Sequence, residues 1–474
     1  MDRRKSLAVV QIVFNLLIVV ALILFPIHSE QIYILNYLVD VGCILVVFLL
    51  YTVYLLRRGF DLFDPLGIIT FIYGFMYFVT PVYDIVIGKY TWFGYNLFPY
   101  GVKSSLIALV GYIAFYLFYT IDAINKGRQS KSDDKSKAPR NCSKEANSMI
   151  LSVVLAFYAA AFMANVYYLI HSGYGNLLYI LTMGILGSGN SGMAQQEAIG
   201  FVAMFSYCLP TLVLLYWEYG GKKQVTTLLF IPVLMMQVTR GFRFLIVQIM
   251  ISFVAYYYIT RKKRPKLQQV VWLFLLLMVP ILLMTMFRND VRSGIGISFS
   301  GFSRAAIRKA LDDAIWDNFR IYNNFYGLVH AVPNEFGYIF LRQILIGSLV
   351  MTIPRAIWPN KISTQAGVGL ETIIGSRLAK TGQAYPGLGE YYYSFGIPGV
   401  LFFMAVYGVW MRCVRDRYML PKASGLDIIT FSILLGANIQ IIIRGYTPSN
   451  FWYLVFSLLP VIVVRYIEKS LNVN

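Results

Sequence analysis

Charge is scarce in this chain. Only 13% of its 474 residues are Asp, Glu, Lys or Arg, against about a quarter in a soluble domain. Acids are scarcer still, 22 against 41 Lys and Arg, which leaves a formal net charge of +19. The apolar share is 58% and the mean hydropathy +0.63. An ordinary soluble domain is excluded, and an integral membrane protein is indicated. Histidine is nearly absent. His28, His171 and His330 lie far apart, and the segment after residue 287 has no His-x-x-Glu or Asp-x-Asp spacing. No metal centre is expected from that pattern. The four cysteines, Cys43, Cys142, Cys208 and Cys413, fit neither a zinc site nor a disulfide framework. No Walker or Rossmann glycine motif is present, so neither nucleotide hydrolysis nor an activated nucleotide donor is supported. No cofactor and no nucleic-acid partner are expected.

What the chain does have is long apolar runs. They are roughly 20 residues long and do not alternate, which favours helices over a barrel. Helices satisfy every backbone polar group within the lipid. The start, MDRRKSLAVVQIVFNLLIVVALILFPI, has a basic leader, but its apolar run is too long for a signal peptide and lacks a small-x-small site. It reads as a first transmembrane helix. Twelve spans are expected, at 8–28, 31–56, 65–87, 100–121, 148–171, 198–217, 225–239, 241–260, 268–287, 392–411, 425–443 and 449–467. The fold class is therefore an all-α polytopic membrane protein of about twelve transmembrane helices, with a large outer loop containing amphipathic helices.

The loops alternate in charge. MDRRK, RRGFD, GGKK, RKKRPK, RCVRDRYMLPK, RYIEKS and the Ser/Lys-rich linker 122–147 fall on one side. The positive-inside rule makes that side cytoplasmic, with both termini inside. The organisation is then 1–287 for the first nine spans, 288–391 for one large extracytoplasmic loop, and 392–474 for the last three spans. Within the loop, SRAAIRKALDDAIWDNFRIYNNFYGLV reads as an amphipathic helix. FLRQILIGSLVMTI is apolar but short, and reads as interfacial or re-entrant.

On this topology 25 basic residues lie inside, split nearly evenly between Lys and Arg. The 16 outside divide eleven Arg to five Lys. The inner set follows from topology alone; the outer set opposes it. Arginine is preferred over lysine where a planar fork must hold a carboxylate or phosphate at two points. Arginines at the outer rim therefore point to an anionic ligand at the bilayer surface, a lipid phosphate or pyrophosphate. Some will instead pair with local acids, as Arg308 with Asp312 on one helix face. Arg240 and Arg243, in MMQVTRGFRFLIVQIM, occupy a tight break between two apolar runs. Snorkelling to headgroups is the plain alternative for them. Arg444, in IIIRGYTPSNFW, sits equivalently between the last two spans, so the two Arg-Gly tips can face one site.

Two more stretches stand out. In MTIPRAIWPNK, prolines bracket Arg355 and Trp358, and Lys361 follows. Proline fixes the backbone and holds Arg355 in place. In YPGLGEYYYSFGIPGVLFFMAVYG, the carboxylate Glu390 stands where the chain re-enters the membrane, among aromatics that include Tyr392. Those aromatics suit either stacking on sugar faces or the aromatic belt of a membrane protein.

The Arg240-Gly241 tip, the Pro-Arg-x-x-Trp-Pro-x-Lys stretch and the Glu-x-Tyr-x-x-Phe-Gly-x-x-Gly lead-in, on about twelve spans with one large outer loop, resemble the Wzy-type O-antigen or oligosaccharide repeat-unit polymerases. That resemblance implies an enzyme of the bacterial cytoplasmic membrane, active on its outer face and without metal. It would transfer a growing glycan from undecaprenyl pyrophosphate onto a new lipid-linked repeat unit. Partners implied are that substrate, membrane lipid, a chain-length regulator and a flippase.

The residues suit such chemistry on their own terms. Charge grows on the leaving pyrophosphate, and fixed guanidinium groups can stabilise it. The candidates are Arg240, Arg243, Arg355 and Arg444, with Arg288 and Arg292 behind them, and Lys361 and Tyr392 as further substrate contacts. Glu390 and His330 are the candidate catalytic groups for the acceptor's proton. For Glu390 the alternative is an ion pair with an arginine that holds the loop on the bundle. Two other functions stay open: an O-antigen-type ligase, and a lipid-linked oligosaccharide flippase. A flippase would carry charges deep within several helices. Here Asp40 is the main ionisable residue expected mid-span.

Overall fold

The computed structural model of the chain describes residues 31–92, 94–121, 144–169, 201–239, 243–262, 304–317, 319–353, 385–418 and 423–471, with isolated positions between 265 and 282 and at 357–358. Every regular element among them is helical. Eight helices are long and apolar enough to cross a membrane. They are α1 (Gln31–Arg58), α2 (Pro65–Val86), α3 (Phe98–Thr120), α4 (Glu145–Tyr168), α5 (Phe201–Glu218), α10 (Gly387–Arg417), α11 (Gly425–Ile443) and α12 (Thr447–Leu471). Two shorter apolar helices, α6 (Lys223–Thr239) and α7 (Arg243–Thr260), complete the described membrane part. These ten coincide with ten expected spans. The span expected at 8–28 lies outside the described residues, and that at 268–287 lies almost wholly outside them.

The helix ends fall into two sets. One end is basic, with Arg57, Arg58, Lys222, Lys223, Arg261, Lys262 and Arg415. Asp64 organises it. Its carboxylate caps α2 by accepting from the Leu66 N–H at 2.9 Å, and takes the Tyr54 and Tyr119 hydroxyls at 2.6 and 2.8 Å. Arg415 approaches it to 3.4 Å. Arg412 donates to the carbonyls of Tyr119 and Ile121, two of the orphan acceptors at the end of α3.

Small residues bring the helices together, as lipid-embedded packing favours. Gly408 of α10 lies against the Phe115 carbonyl of α3, and Gly436 of α11 against Gln248 and Ser252 of α7. A Cβ at either glycine would collide with its neighbour.

At the other end the expected long amphipathic helix is two helices, α8 (Arg304–Ile315) and α9 (Tyr322–Ala331). α8 carries five charged side chains and keeps Arg308 exposed. α9 has none before His330 and is buried on all faces, with Tyr322, Phe325 and Leu328 at 0% exposure. A segment without charge can enter the bundle; its neighbour cannot.

The turn between them is set by Arg320, itself at 0% exposure. Its guanidinium meets Asp84 at 3.0 Å, Asp312 at 2.9 Å and Asp317 at 3.3 Å. The Tyr322 hydroxyl donates to Asp84 at 3.0 Å, and Tyr83 donates to Asp312 at 3.1 Å. Asp84 stands at the end of α2, so this network fastens α8 and α9 onto the membrane helices. Asp312 thus pairs with Arg320, not with the Arg308 that the helix-face spacing suggested. Burial pushes the Asp312 carboxyl up, but the bonds and charge of Arg320 outweigh it and hold the group below the ordinary aspartate value. Burial opposes the Arg320 charge too, yet Asp312 and Asp84 raise its protonation above the usual arginine value.

The short apolar stretch does not cross the bundle. Arg342–Gly347 forms a wide turn and Ser348–Val350 one tight turn. The Trp452 indole of α12 donates to the Ser348 carbonyl at 2.7 Å and pins it there. Phe340, Leu345, Ile346 and Leu349 stay exposed on its far side.

Candidate functional site

The site begins with a break in α10. Gly396 has φ 66° and ψ −147°, a conformation open to glycine, and Pro398 follows. Proline has no N–H for the carbonyl four residues back. The carbonyls of Tyr393 and Ser394 are taken instead by the Ile339 and Phe340 N–H groups, both at 3.1 Å. The first turns of α10 therefore form a short fixed segment, and Glu390 stands on it.

Facing it is the tip between α11 and α12. The Gly445 N–H donates to the Tyr385 carbonyl at 2.9 Å. A Cβ on Gly445 would collide with the backbone of Gly387, and one on Gly387 with the Ile441 carbonyl. Two glycines thus let the chains touch backbone to backbone. Two residues on, the Glu390 carboxylate accepts the Thr447 N–H at 2.9 and 3.2 Å and the Thr447 hydroxyl at 2.7 Å. Thr447 opens α12, so Glu390 caps that helix from another one, where a negative charge is favoured. Glu390 is 1% exposed. The arginine pairing weighed for it is not what its described partners provide; both bonds go to Thr447. Arg444 lies between the two fastenings.

α7 runs antiparallel to α11. Gln248 and Ser252 face Gly436, Leu245 clusters with Ala437 and Tyr453, and Tyr256 reaches Glu218 at the basic end. The start of α7 at Arg243 therefore comes to the same end as Arg444. The Arg240-Gly241 tip itself lies outside the described residues. Arg240, Arg288, Arg292, Arg355 and Lys361 lie outside the described residues, as does the side chain of Arg243.

The model of the O-antigen polysaccharide polymerase Wzy family matches residues 7–472, nearly the whole chain. The chain belongs to that family. Comparison with curated proteins and with solved structures gave no match. Wzy membership makes the chain a glycosyltransferase-type polymerase of O-antigen repeat units, integral to the bacterial inner membrane and acting on lipid-linked oligosaccharides.

Within this Wzy chain, His330 ends α9. Its ring stacks on Tyr100 at 3.9 Å and its Nε2 lies 3.3 Å from Glu335. It shares no described partner with Glu390. Tyr392 packs inward at 3% exposure and donates to the Val332 carbonyl at 3.1 Å. Beside the tip, Tyr385 donates to Gln343 at 2.6 Å. Burial, then the charge of Glu390, hold the Tyr385 hydroxyl well above its ordinary value, so it remains a neutral donor. A cavity of about 10 Å³ between Tyr73, Tyr77, Leu388, Tyr391 and Tyr407 has room for one water at most. A lipid-linked sugar must be taken up elsewhere. Among the described residues no group of three or more His, Cys, Asp or Glu is placed to hold a metal ion.

Sequence reading missed Thr447 as the partner of Glu390. The signal was present: Thr447-Pro448 is a helix start, with proline in the first turn. What it could not name was the residue that caps it.

Proposed function

We propose that this polymerase joins repeat units on the outer face of the membrane with undecaprenyl pyrophosphate as the leaving group. The bond from the anomeric carbon to the pyrophosphate oxygen breaks, and the pyrophosphate keeps the electron pair. A new bond forms from that carbon to a hydroxyl of the incoming lipid-linked unit, and the proton of that hydroxyl ends on the departing pyrophosphate. Arg444, Arg240 and Arg243 stabilise the charge that grows on the pyrophosphate, and Arg288, Arg292, Arg355 and Lys361 are the further candidates for that role. The observation that carries this reading is the doubly fastened Arg444 tip, held by Tyr385 on one side and Glu390 on the other. A guanidinium held on such a tip needs little reorganisation as charge develops. Glu390 is best read as a positioning residue, because its carboxylate is engaged with Thr447. A flippase that delivers units and a chain-length regulator are the partners this role calls for.

The test is in cells lacking the natural enzyme. Arg444→Ala and Arg240→Ala proteins are expected to insert normally and to leave single repeat units on the lipid carrier, with Arg444→Lys also impaired because it cannot fork. Polymer of wild-type length from both alanine variants would overturn the reading. Normal polymer accompanied by failure to attach it to its final acceptor would favour the ligase.

A further inference from the structure

Arg342 stands outside the site described above. It opens the wide turn Arg342–Gly347, and its side chain is exposed. No acid among the described residues pairs with it, whereas Arg320 is engaged by three. Beside it runs an apolar row. Leu341, Leu345 and Leu349 recur at every fourth residue and are 37%, 53% and 70% exposed. Gly347, Ser348 and Val350 fill the buried side. The segment therefore hides its small residues and presents its large apolar ones, with one cation at the head of the row.

This segment is fixed to both walls of the Arg444 tip. The Ile339 and Phe340 N–H groups donate to Tyr393 and Ser394 of α10, and Ser348 accepts from Trp452 of α12. Gln343 accepts the Tyr385 hydroxyl, and the Tyr385 carbonyl accepts the Gly445 N–H of the tip. The charge of Arg342 reaches the Tyr393 hydroxyl on the same side of α10. Phe340 is held at φ 51°, a region that bulky side chains rarely adopt. Wide helical turns are themselves rare and occur mostly at functional sites.

An open leucine row with a guanidinium at its head matches an amphiphile with an anionic head and an apolar tail. A soluble anion has no use for the row, and a free sugar none for either part. The row alone does not choose among lipids, because acyl chains are as apolar as leucine. The head group chooses, since a guanidinium can hold a phosphate at two points. We propose that Arg342 and the row Leu341, Leu345 and Leu349 form the docking face for the carrier lipid, which arrives sideways from the outer leaflet between α10 and α12. Arg342 engages the pyrophosphate, the first isoprene units lie along the leucines, and the head group passes from there to the Arg444 tip. The docking face rests on the pyrophosphate reading above, and its test separates the two.

A benzophenone side chain replaces that of Phe340, which is 60% exposed beside the row. As a control it replaces Phe402, 62% exposed on α10. Each full-length protein is placed in phosphatidylcholine nanodiscs with a minor share of undecaprenyl pyrophosphate or of undecaprenol. Adducts are counted by mass spectrometry after illumination. Undecaprenyl pyrophosphate is expected to be captured at position 340 well above its share of the lipid, and at position 402 only in proportion to it. Undecaprenol, which lacks the head group, should show no enrichment at either. Arg342→Gln should lower capture at position 340 about tenfold, the equivalent of one lost charge-assisted hydrogen bond, with Arg342→Lys restoring part. Leu345→Asn with Leu349→Asn should also lower it about tenfold, because the amides would lie unpartnered under the tail.

Capture in proportion to lipid share at both positions would make the row a plain bilayer contact and overturn the docking face. Equal enrichment of undecaprenol, or full capture in Arg342→Gln, would do the same. If the variants fail to fold, the comparison of positions 340 and 402 in the otherwise unchanged protein decides. Enrichment at position 340 in a protein whose Arg444→Ala variant still makes full-length polymer would sink the pyrophosphate reading and leave the docking face standing. No enrichment, with polymer lost in Arg444→Ala, would do the reverse.

Discussion

Removing the charge of Glu390 is expected to loosen the Arg444 tip without unfolding the protein. The carboxylate accepts the N–H and hydroxyl of Thr447 at the first turn of α12. A hydrogen bond to a charged group contributes about 1.5–3 kcal/mol, and a charge at a helix N-terminus roughly another 0.3–1. Glutamine keeps one acceptor, so Glu390→Gln weakens the latch by about 2–4 kcal/mol. That lowers the fraction of fastened tips by roughly 30-fold to 1,000-fold if the latch is marginal, and activity falls with it. Thr447→Val removes the hydroxyl bond and keeps the N–H, a loss of about 1.5–3 kcal/mol, or roughly 10-fold to 150-fold in rate. The two changes act on one contact. Their double mutant should therefore fall short of additivity by about 1 kcal/mol. The assay is the initial rate of polymer formation by purified variants, with kcat and KM separated and folding checked by size exclusion. A positioning role lowers the rate in both single mutants. A base role for Glu390 predicts a harmless Thr447→Val. A coupling near zero, with an inert Thr447→Val, would refute the latch.

Three further outcomes follow from the same geometry. Arg320→Met leaves Asp84 buried without its counter-charge and should lower stability by about 3–5 kcal/mol, seen as a drop in thermal midpoint, with Asp84→Asn restoring part of it; no change would deny the lock between α2 and α9. Because Asp312 is held below its ordinary value, its share of stability is present above about pH 3.9 and is lost as pH falls through the lower folded value; Asp312→Asn should melt with less dependence on acid than wild type, and an identical acid profile would contradict the pairing. Gly445→Ala drives a methyl into the Gly387 backbone and should abolish polymer at about 1–3 kcal/mol of stability, whereas Gly42→Ala, with nothing within 4 Å of the new carbon, should be silent. For the orientation, in a Cys142→Ser and Cys413→Ser background, a cysteine in place of Asn334 should react with an impermeant maleimide on intact cells and one in place of Lys262 should not; the opposite pattern would invert the topology.

The spans were legible because the bilayer dictates their length, and ten runs announce themselves as helices at nearly the expected limits. The loop between α7 and α10 was less so. The charged pattern of α8 runs on to Arg320, and Asp84, distant in sequence, joins Asp312 and Asp317 in holding Arg320 buried. Local periodicity carries no information about that partner. Arg444 and Glu390 were picked out by chemistry, as rare charges beside glycine at membrane ends. That they meet through Thr447 and Tyr385 is a tertiary fact.

The most direct test of the central claim is a reaction of purified components. The protein in nanodiscs is given the undecaprenyl-pyrophosphate repeat unit of its source strain, in EDTA, and the products are run on a gel. A ladder spaced by one repeat, lost in Arg444→Ala, is the predicted result. No ladder from a folded protein, with lipid-linked units crossing a sealed vesicle instead, would contradict it and make the chain a flippase.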